Sequence, residues 1–314
     1  MLSRLAILVI VATTLTTIGS LGARAGWLLE LLSHFPAQYL VAQVAAAAVC
    51  LGLRLWPWLA LVLLAAVPNV IAIAPYLPGL VLAPASSVTT NAPVNLVAFN
   101  LLYTREDPTL ALAFLEKQSA DILVLSEFTP RWRKGLRLLE RTYPYFALRN
   151  RWNQWGVAVY SKYPFEDVQD LDLGDNQSSH LRIRLQLPGG PAEVYAVHLA
   201  SPLSPRHAAQ RNTQFRRLAA HIAAADPALP RIVAGDFNST PFSPVFRDLL
   251  RDTGLRDGRR PFGLHYTWPA VPVPLWMAID HCLVSDGVVV TRVARGPPAG
   301  SDHLPLECVF SLSS

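Results

Sequence analysis

The sequence predicts a mixed α/β domain preceded by an apolar helical region. Three observations carry this reading. From Val94 onward, short apolar runs rich in β-branched residues alternate with longer stretches of helical composition. Several of the runs follow one another as hairpin-like pairs, which fits a mixed sheet better than a purely parallel one. Charge is divided unevenly: of 27 Lys and Arg and 22 Asp and Glu, residues 1–91 hold only Arg4, Arg24, Glu30 and Arg54.

The N-terminal region, residues 1–77, contains three apolar segments. Leu5–Leu21 has no charge, Ala37–Leu53 has Gln43 as its one strongly polar residue, and Trp58–Leu77 is interrupted by Pro68-Asn69 and Pro75. A bilayer core takes about 20 apolar residues, down to roughly 17, so the region reads as three transmembrane helices. Trp56, Trp58 and Tyr76 fall at segment ends, where interfacial aromatics sit. The first segment also fits a cleaved signal peptide, with Arg4 as its charged start and Ala23-Arg24-Ala25 as a small-x-small site. Arg4 and Arg54 on the inner side satisfy the positive-inside bias. With or without cleavage, the chain from residue 78 then lies outside, and the expected location is a bacterial cell membrane, multi-pass, with an extracytoplasmic catalytic domain. Residues 78–93, rich in Pro, Ala, Ser and Thr, read as a linker to a domain spanning 94–314.

Within that domain the expected strands are Val94–Asn100, Asp121–Ser126, Tyr145–Leu148, Gly156–Tyr160, Leu181–Leu187, Glu193–His198, Arg231–Ala234, Ile279–Val284, Val288–Val293 and Leu306–Phe310. Asp107-Pro108 can cap and start a helix running to about Ser119. Further helices are expected over Pro130–Arg141, Pro205 to about Ala225, and Ser243–Asp252. Cys282 and Cys308 sit in apolar runs and read as buried thiols, or as a bridge if their strands are neighbours.

Polar residues recur where apolar strands end. Asn100, Glu127, His198 and Asp280 each follow such a run, and Gly235-Asp236-Phe237-Asn238 ends another. In extended backbone the side chains of Asp236 and Asn238 face the same space. A carboxylate there can hold or deprotonate water, and an amide can donate to a phosphate oxygen. Gly300-Ser301-Asp302-His303 adds a carboxylate and an imidazole. The sequence has no Ser nucleophile elbow, no Walker-type glycine loop and no CxxC zinc pattern.

These motifs in this order, with Gly156–Lys162 between them, resemble the endonuclease/exonuclease/phosphatase family, the deoxyribonuclease I-like fold, over roughly residues 94–314. The apolar N-terminal region resembles the membrane-anchored bacterial VanJ/YafD-like subgroup of that family. The resemblance implies a four-layer α/β sandwich of two facing mixed sheets with helices outside, and metal-assisted attack of water on phosphorus. It implies Glu127 as a ligand of Mg²⁺ (or Mn²⁺), Asn100 beside it on the metal side, and Asp302 as a second metal-side carboxylate. Asp236 would orient or activate the water and Asn238 would bind phosphate. His303 and Asp280 would form a His–Asp dyad, and His198 would donate to a phosphate or leaving-group oxygen. Arg211, Gln214 and Thr267-Trp268 resemble family elements with structural or packing roles.

Each site residue also has an ordinary reading. Glu127 alone is an exposed residue after a strand, Asn100 and Asn238 suit turns, Asp302 suits a turn or cap, and His198 could be a satisfied core histidine. His281 points away from Asp280 and, with His180, His207, His221 and His265, is expected to be non-catalytic. The net charge of +5 is compatible with an anionic substrate, without the clustered basic face of a nucleic-acid binder. The expected substrate is therefore a phosphorylated envelope lipid, as a pyrophosphate or phosphodiester. Arg149–Trp155 and the apolar Trp268–Trp276 are loops that could touch head groups and acyl chains. An extracytoplasmic nuclease is the alternative, and a non-catalytic scaffold the lesser one.

Overall fold

The computed structural model describes residues 1–79, 91–175, 177–260, 262–271 and 274–313. Most of the expected linker, and Pro272 and Val273 of the apolar loop, lie outside the described residues. The N-terminal region folds as α1 (Leu2–Leu21), α2 (Trp27–Leu32), α3 (Pro36–Gly52) and α4 (Trp56–Ile73), the last extended by a 3-10 turn over Ala74–Tyr76. α1 and the stretch Trp56–Tyr76 are long and apolar enough to cross a membrane, while α3 is shorter. Leu8, Val41, Leu64 and Ile71 are exposed on the outside of this bundle. An apolar outer face of this kind is what a helix in contact with lipid presents. Inside, the Asn69 amide donates to Thr17 Oγ1 and Gln43 Oε1, both at 3.0 Å. Polar groups of this kind are hydrogen-bonded to one another inside the bundle, as buried polar groups are.

The remaining chain runs β1 (Val94–Asn100), α5 (Thr109–Lys117), β2 (Ile122–Ser126), α6 (Pro130–Gly135), β3 (Tyr145–Arg149), β4 (Val157–Ser161), β5 (Phe165–Asp170), β6 (Leu181–Leu187), β7 (Gly190–His198), α7 (Pro205–Ala223), β8 (Arg231–Asp236), α8 (Pro244–Thr253), β9 (Arg256–Asp257), β10 (Asp280–Val284), β11 (Val288–Arg295) and β12 (Leu306–Leu312). They form two six-stranded sheets, ordered β11-β12-β1-β2-β4-β3 and β5-β6-β7-β8-β10-β9. β1 with β2 and β7 with β8 are parallel, and the other pairs are antiparallel.

Strand sequence explains the layering. Leu96, Ala98, Val124, Val194 and Ala234 point between the sheets and form one core. The alternate residues point outward: Val97, Phe99 and Leu125 pack under α5 and α6, and Tyr195, Val197 and Val233 pack under α7 and α8. Strands covered on both faces read as continuous apolar runs, which is how these appear in the sequence. The result is the four-layer α/β sandwich, helix–sheet–sheet–helix. Cys282 and Cys308 meet across its interior as free thiols, with Sγ atoms 2.9 Å apart.

The helical region packs directly on the domain. Arg24 forks onto Asp248 with two bonds of 2.7 Å. The Tyr76 hydroxyl donates to Asp257 Oδ2 at 3.1 Å. The Tyr76 ring meets Phe242 edge-on at 6.0 Å and lies 5.2 Å from the Arg260 guanidinium. Asp257 and Arg259 beneath it are both buried, with a guanidinium–carboxylate bond of 2.8 Å. Burial alone would raise the Asp257 pKa, but the Arg259 charge and hydrogen bonds hold it at about 2.

Candidate active site

The two parallel strand pairs end on the same side of the sandwich, and the site is built there. Asn100 ends β1 opposite Ser126 at the end of β2, and Glu127 follows. His198 ends β7 opposite Asp236 at the end of β8, and Asp236 also pairs with Asp280 at the start of β10. His303 comes from the loop before β12. Side chains from both sheets thus meet at one mouth.

Gly235 explains how β7 and β8 come together. Its φ is +131°, and a Cβ placed there would lie 2.0 Å from the Val197 carbonyl oxygen. Only glycine lets the two backbones approach with His198 beside Asp236. Gly235→Ala is expected to destabilise the fold by about 3 kcal/mol through overpacking, read as a lowered denaturation midpoint of the full chain. An unchanged midpoint would contradict this reading of the motif. Glu127 and Asn238 also have positive φ, +58° and +47°. Asn adopts this conformation readily, whereas for Glu it is strain held by the site, of order 1–3 kcal/mol.

Asp236 is the centre of the polar network. Its Oδ1 accepts from the Asn238 backbone N–H at 2.8 Å. Its Oδ2 accepts from the Asn100 amide at 3.0 Å and lies 3.6 Å from His198 Nε2 and 3.7 Å from His303 Nε2. The same Asn100 nitrogen donates to Glu127 Oε1 at 3.0 Å, and the Tyr103 backbone N–H donates to Glu127 Oε2 at 2.7 Å. The Asn100 oxygen is taken by the Leu102 N–H at 3.0 Å. Placed this way, Asn100 stands between two carboxylates and spaces them. Its N–H group faces the two carboxylates, Glu127 among them.

His303 Nδ1 bonds Asp280 Oδ2 at 2.9 Å. Burial alone would lower the His303 pKa, but the Asp280 and Asp236 charges raise it to about 10. Burial and the Asp280 charge push the Asp236 carboxyl above its usual range, against the pull of His303 and His198. His198 Nδ1 bonds the Gln154 carbonyl at 3.0 Å. A carbonyl only accepts, so Nδ1 carries the proton and Nε2 is the ring atom turned to Asp236 and Glu127. The Trp155 ring lies against His198 at 5.7 Å. His180 Nδ1 accepts from the His198 backbone N–H at 3.3 Å, and burial holds the His180 pKa at about 3. His180 is thus a neutral support under His198.

Asp302 sits at the exposed edge, where the Trp268 indole N–H donates to its Oδ2 at 3.1 Å. Thr267 Oγ1 accepts from the Asp280 N–H at 3.3 Å, so Thr267-Trp268 touches two site residues beyond its expected packing role. Asn238 donates its amide to the Leu199 carbonyl at 2.9 Å. His281 faces the helical layer against Phe246, with Nε2 on the Ser239 carbonyl and Nδ1 on Arg259. Glu127, His198, Asp236, Asn238, Asp302 and His303 all line one cleft of about 690 Å³.

The donors fit a hard divalent cation. Glu127 and Asp302 offer carboxylate oxygens to an open cleft with room for water and phosphate, the donor type Mg²⁺ takes. Asp236, Asp280 and His303 also place ligand atoms within 4.8 Å of one another. There the raised pKa of His303 goes with its bond to Asp280 and its place 3.7 Å from Asp236. Asp280 Oδ1 is buried with no hydrogen-bond partner among the described residues. Its other oxygen, Oδ2, is the one bonded to His303.

The sequence did not reveal Tyr103 N–H or His180 as parts of the site, and it pointed to Gln154 and Trp155 only through their loop, as a head-group contact. Backbone groups carry no residue signature, and a support histidine looks like any buried one.

Solved structures with this architecture are similar at low identity. Zebrafish TDP2 complexed with single-strand DNA product is 18% identical, with a TM-score of 0.58, over 70% of this chain and 100% of that one. An endonuclease/exonuclease/phosphatase from Bacteroides vulgatus is 17% identical, with a TM-score of 0.58, over 71% and 100%. The human Nocturnin catalytic domain with bound sulfate is 19% identical, with a TM-score of 0.57, over 72% and 97%. Among curated proteins no match was found. Residues 97–303, more than half of the chain, match the Endonuclease/Exonuclease/phosphatase family, and the chain belongs to it.

Proposed function

We propose that this chain hydrolyses a phosphate ester or pyrophosphate of an envelope lipid, at the outer face of a bacterial cell membrane that its N-terminal helices span. The observation that carries the hydrolase reading is the convergence of Glu127, His198, Asp236 and His303 in one cleft, with Asp280 bonded to His303 behind it. A divalent cation bound by Glu127, with Asp302 on the same side, supplies charge neutralisation of the phosphate and of the leaving oxygen. Asn100 keeps the Glu127 and Asp236 carboxylates apart and oriented. Asp236, with its raised pKa, is a base placed to hold a water and take its proton. His303, kept protonated by Asp280, stabilises negative charge that grows on phosphoryl oxygens. His198 Nε2 faces the same point and can pass a proton to a leaving oxygen once charged.

Two features support a lipid substrate and a VanJ/YafD-like membrane-anchored arrangement. The apolar helices end directly against the catalytic domain through Arg24–Asp248 and Tyr76–Asp257. The loop carrying Val271, Leu275 and Trp276 exposes all three and is tied to the start of α3, where Gln38 donates to the Trp276 carbonyl at 2.7 Å. That places apolar side chains level with the end of an apolar helix. A nuclease is the second reading, favoured by the DNA-product complex of the zebrafish relative. The test is the full chain in nanodiscs with Mg²⁺, offered polyprenyl pyrophosphate, a sphingomyelin-type diester and plasmid DNA. Turnover of a lipid is expected; rapid nicking of DNA with both lipids inert would establish the nuclease instead.

A further inference from the structure

One wall of the catalytic cleft comes from the far end of the sequence. Trp27, Leu31 and Phe35 line it, facing the polar wall that holds Asp236 and His303. Trp27 and Leu31 are four residues apart on α2 and so share a face. All three are only half-buried, with their apolar surface open to the cleft. Leu203, Met277 and Ile279 continue this apolar surface on the domain side. The cleft therefore has one charged end and one hydrocarbon-like end.

The segment is fixed in place by hydrogen bonds from Trp27, Glu30 and His34. Glu30 is buried, and its Oε2 accepts from Arg211 at 2.6 Å while its Oε1 accepts from the Ser243 hydroxyl at 2.8 Å. His34 Nδ1 lies 2.8 Å from Thr240 Oγ1, and the Trp27 indole N–H donates to the Pro202 carbonyl at 2.8 Å. Glu30 and Arg211 are nearly excluded from solvent, at 5% and 0%. A buried pair of this kind adds little net stability over an apolar contact, and its effect here is to hold α2 at one angle over the site. His34 is the one titratable group on this wall. Burial and the Arg211 charge hold its pKa at about 4, against the pull of Glu30, so it is neutral. The wall thus offers hydrocarbon contact with no charge to bind a second phosphate.

We propose that Trp27, Leu31 and Phe35 form the subsite for an apolar chain attached to the reacting phosphate, so that the N-terminal region determines substrate choice as well as location. The proposal rests on the phosphoester reading of the polar end. With phosphate at the polar end of the cleft, the chain lies against Trp27, Leu31 and Phe35 on the apolar wall.

The test is binding rather than turnover. The full chain in nanodiscs with Mg²⁺ is titrated with methyl-, butyl-, hexyl- and octylphosphonate and with thymidine 5′-monophosphate. Affinity is expected to rise on the order of threefold for each methylene that reaches the wall. Leu31→Asp and Phe35→Ala should flatten that series. Leu28→Asp, on the exposed face of α2, should leave its slope intact, which also controls for partition into lipid. Leu31→Ala, which opens no core cavity, gives the same reading should the Asp variant fold poorly. A slope equal in wild type and in the Leu31 and Phe35 variants would overturn the subsite. So would thymidine monophosphate binding more tightly than octylphosphonate. Failure of every phosphonate, methylphosphonate included, to bind would sink the phosphoester reading itself.

Discussion

Glu127→Ala should lower kcat by a factor on the order of 10²–10⁴, the range found when one preorganised charged group is removed from such a site. Its folding stability should change by no more than about 1–2 kcal/mol. The asymmetry follows from its surroundings. Glu127 contributes no apolar packing, its side chain is 13% exposed, and what it loses on truncation is two hydrogen bonds from Asn100 and Tyr103. Its backbone is held at φ +58°, a strain of order 1–3 kcal/mol retained by the fold around it. Steady-state kinetics and urea unfolding on the same preparation check both halves. A variant that kept wild-type turnover would remove Glu127 from the site. One that lost activity only by unfolding would make it structural.

Asp257→Ala should act in the opposite way. Arg259 would be left fully buried with no anionic partner, and removing one half of a buried pair costs about 3–5 kcal/mol. The loss should be felt at the helical region too, because Tyr76 donates to the same carboxylate. The wild-type pair also has a pH signature. The folded pKa of Asp257, about 2, is below its ordinary 3.8, so the unfolded chain takes up the proton first as pH falls. The stabilisation is fully present above pH ~4 and is lost as pH drops toward ~2, amounting to roughly 2 kcal/mol. Denaturation midpoints of wild type and Asp257→Asn between pH 7 and 2 would test it. The wild type should lose its advantage on acidification, and a difference independent of pH would contradict the assignment.

The catalytic end was legible because strand ends are. Apolar runs followed by Asn100, Glu127, His198 and Asp280 survive as patterns in the sequence. Gly235 marks a backbone approach that its neighbours Asp236 and Asn238 exploit. The layered fold was legible for the same reason, since doubly covered strands write continuous apolar runs. Other elements had no such signal. β5, Phe-Glu-Asp-Val-Gln-Asp, is a largely exposed edge strand with no apolar alternation, and β9 has two residues. The expected helix Pro130–Arg141 divides into α6 and a 3-10 turn after Gly135. α2 was hidden because Trp27–Leu32 is six residues long, begins after Gly26 without a side-chain cap, and lies in what read as a loop between membrane segments. Its partners Arg211 and Ser243 are more than 180 residues away, a pairing that no local pattern encodes.

The most direct measurement is hydrolysis of a phosphoester by the full chain, wild type and Glu127→Gln, across a titration of Mg²⁺ and after its removal with EDTA. Turnover should vanish with chelation, return on adding the cation back to wild type, and stay low in Glu127→Gln at every Mg²⁺ concentration. Equal rates with and without chelator, or full rescue of the variant by excess Mg²⁺, would contradict a site in which carboxylates from both sheets converge on one phosphate.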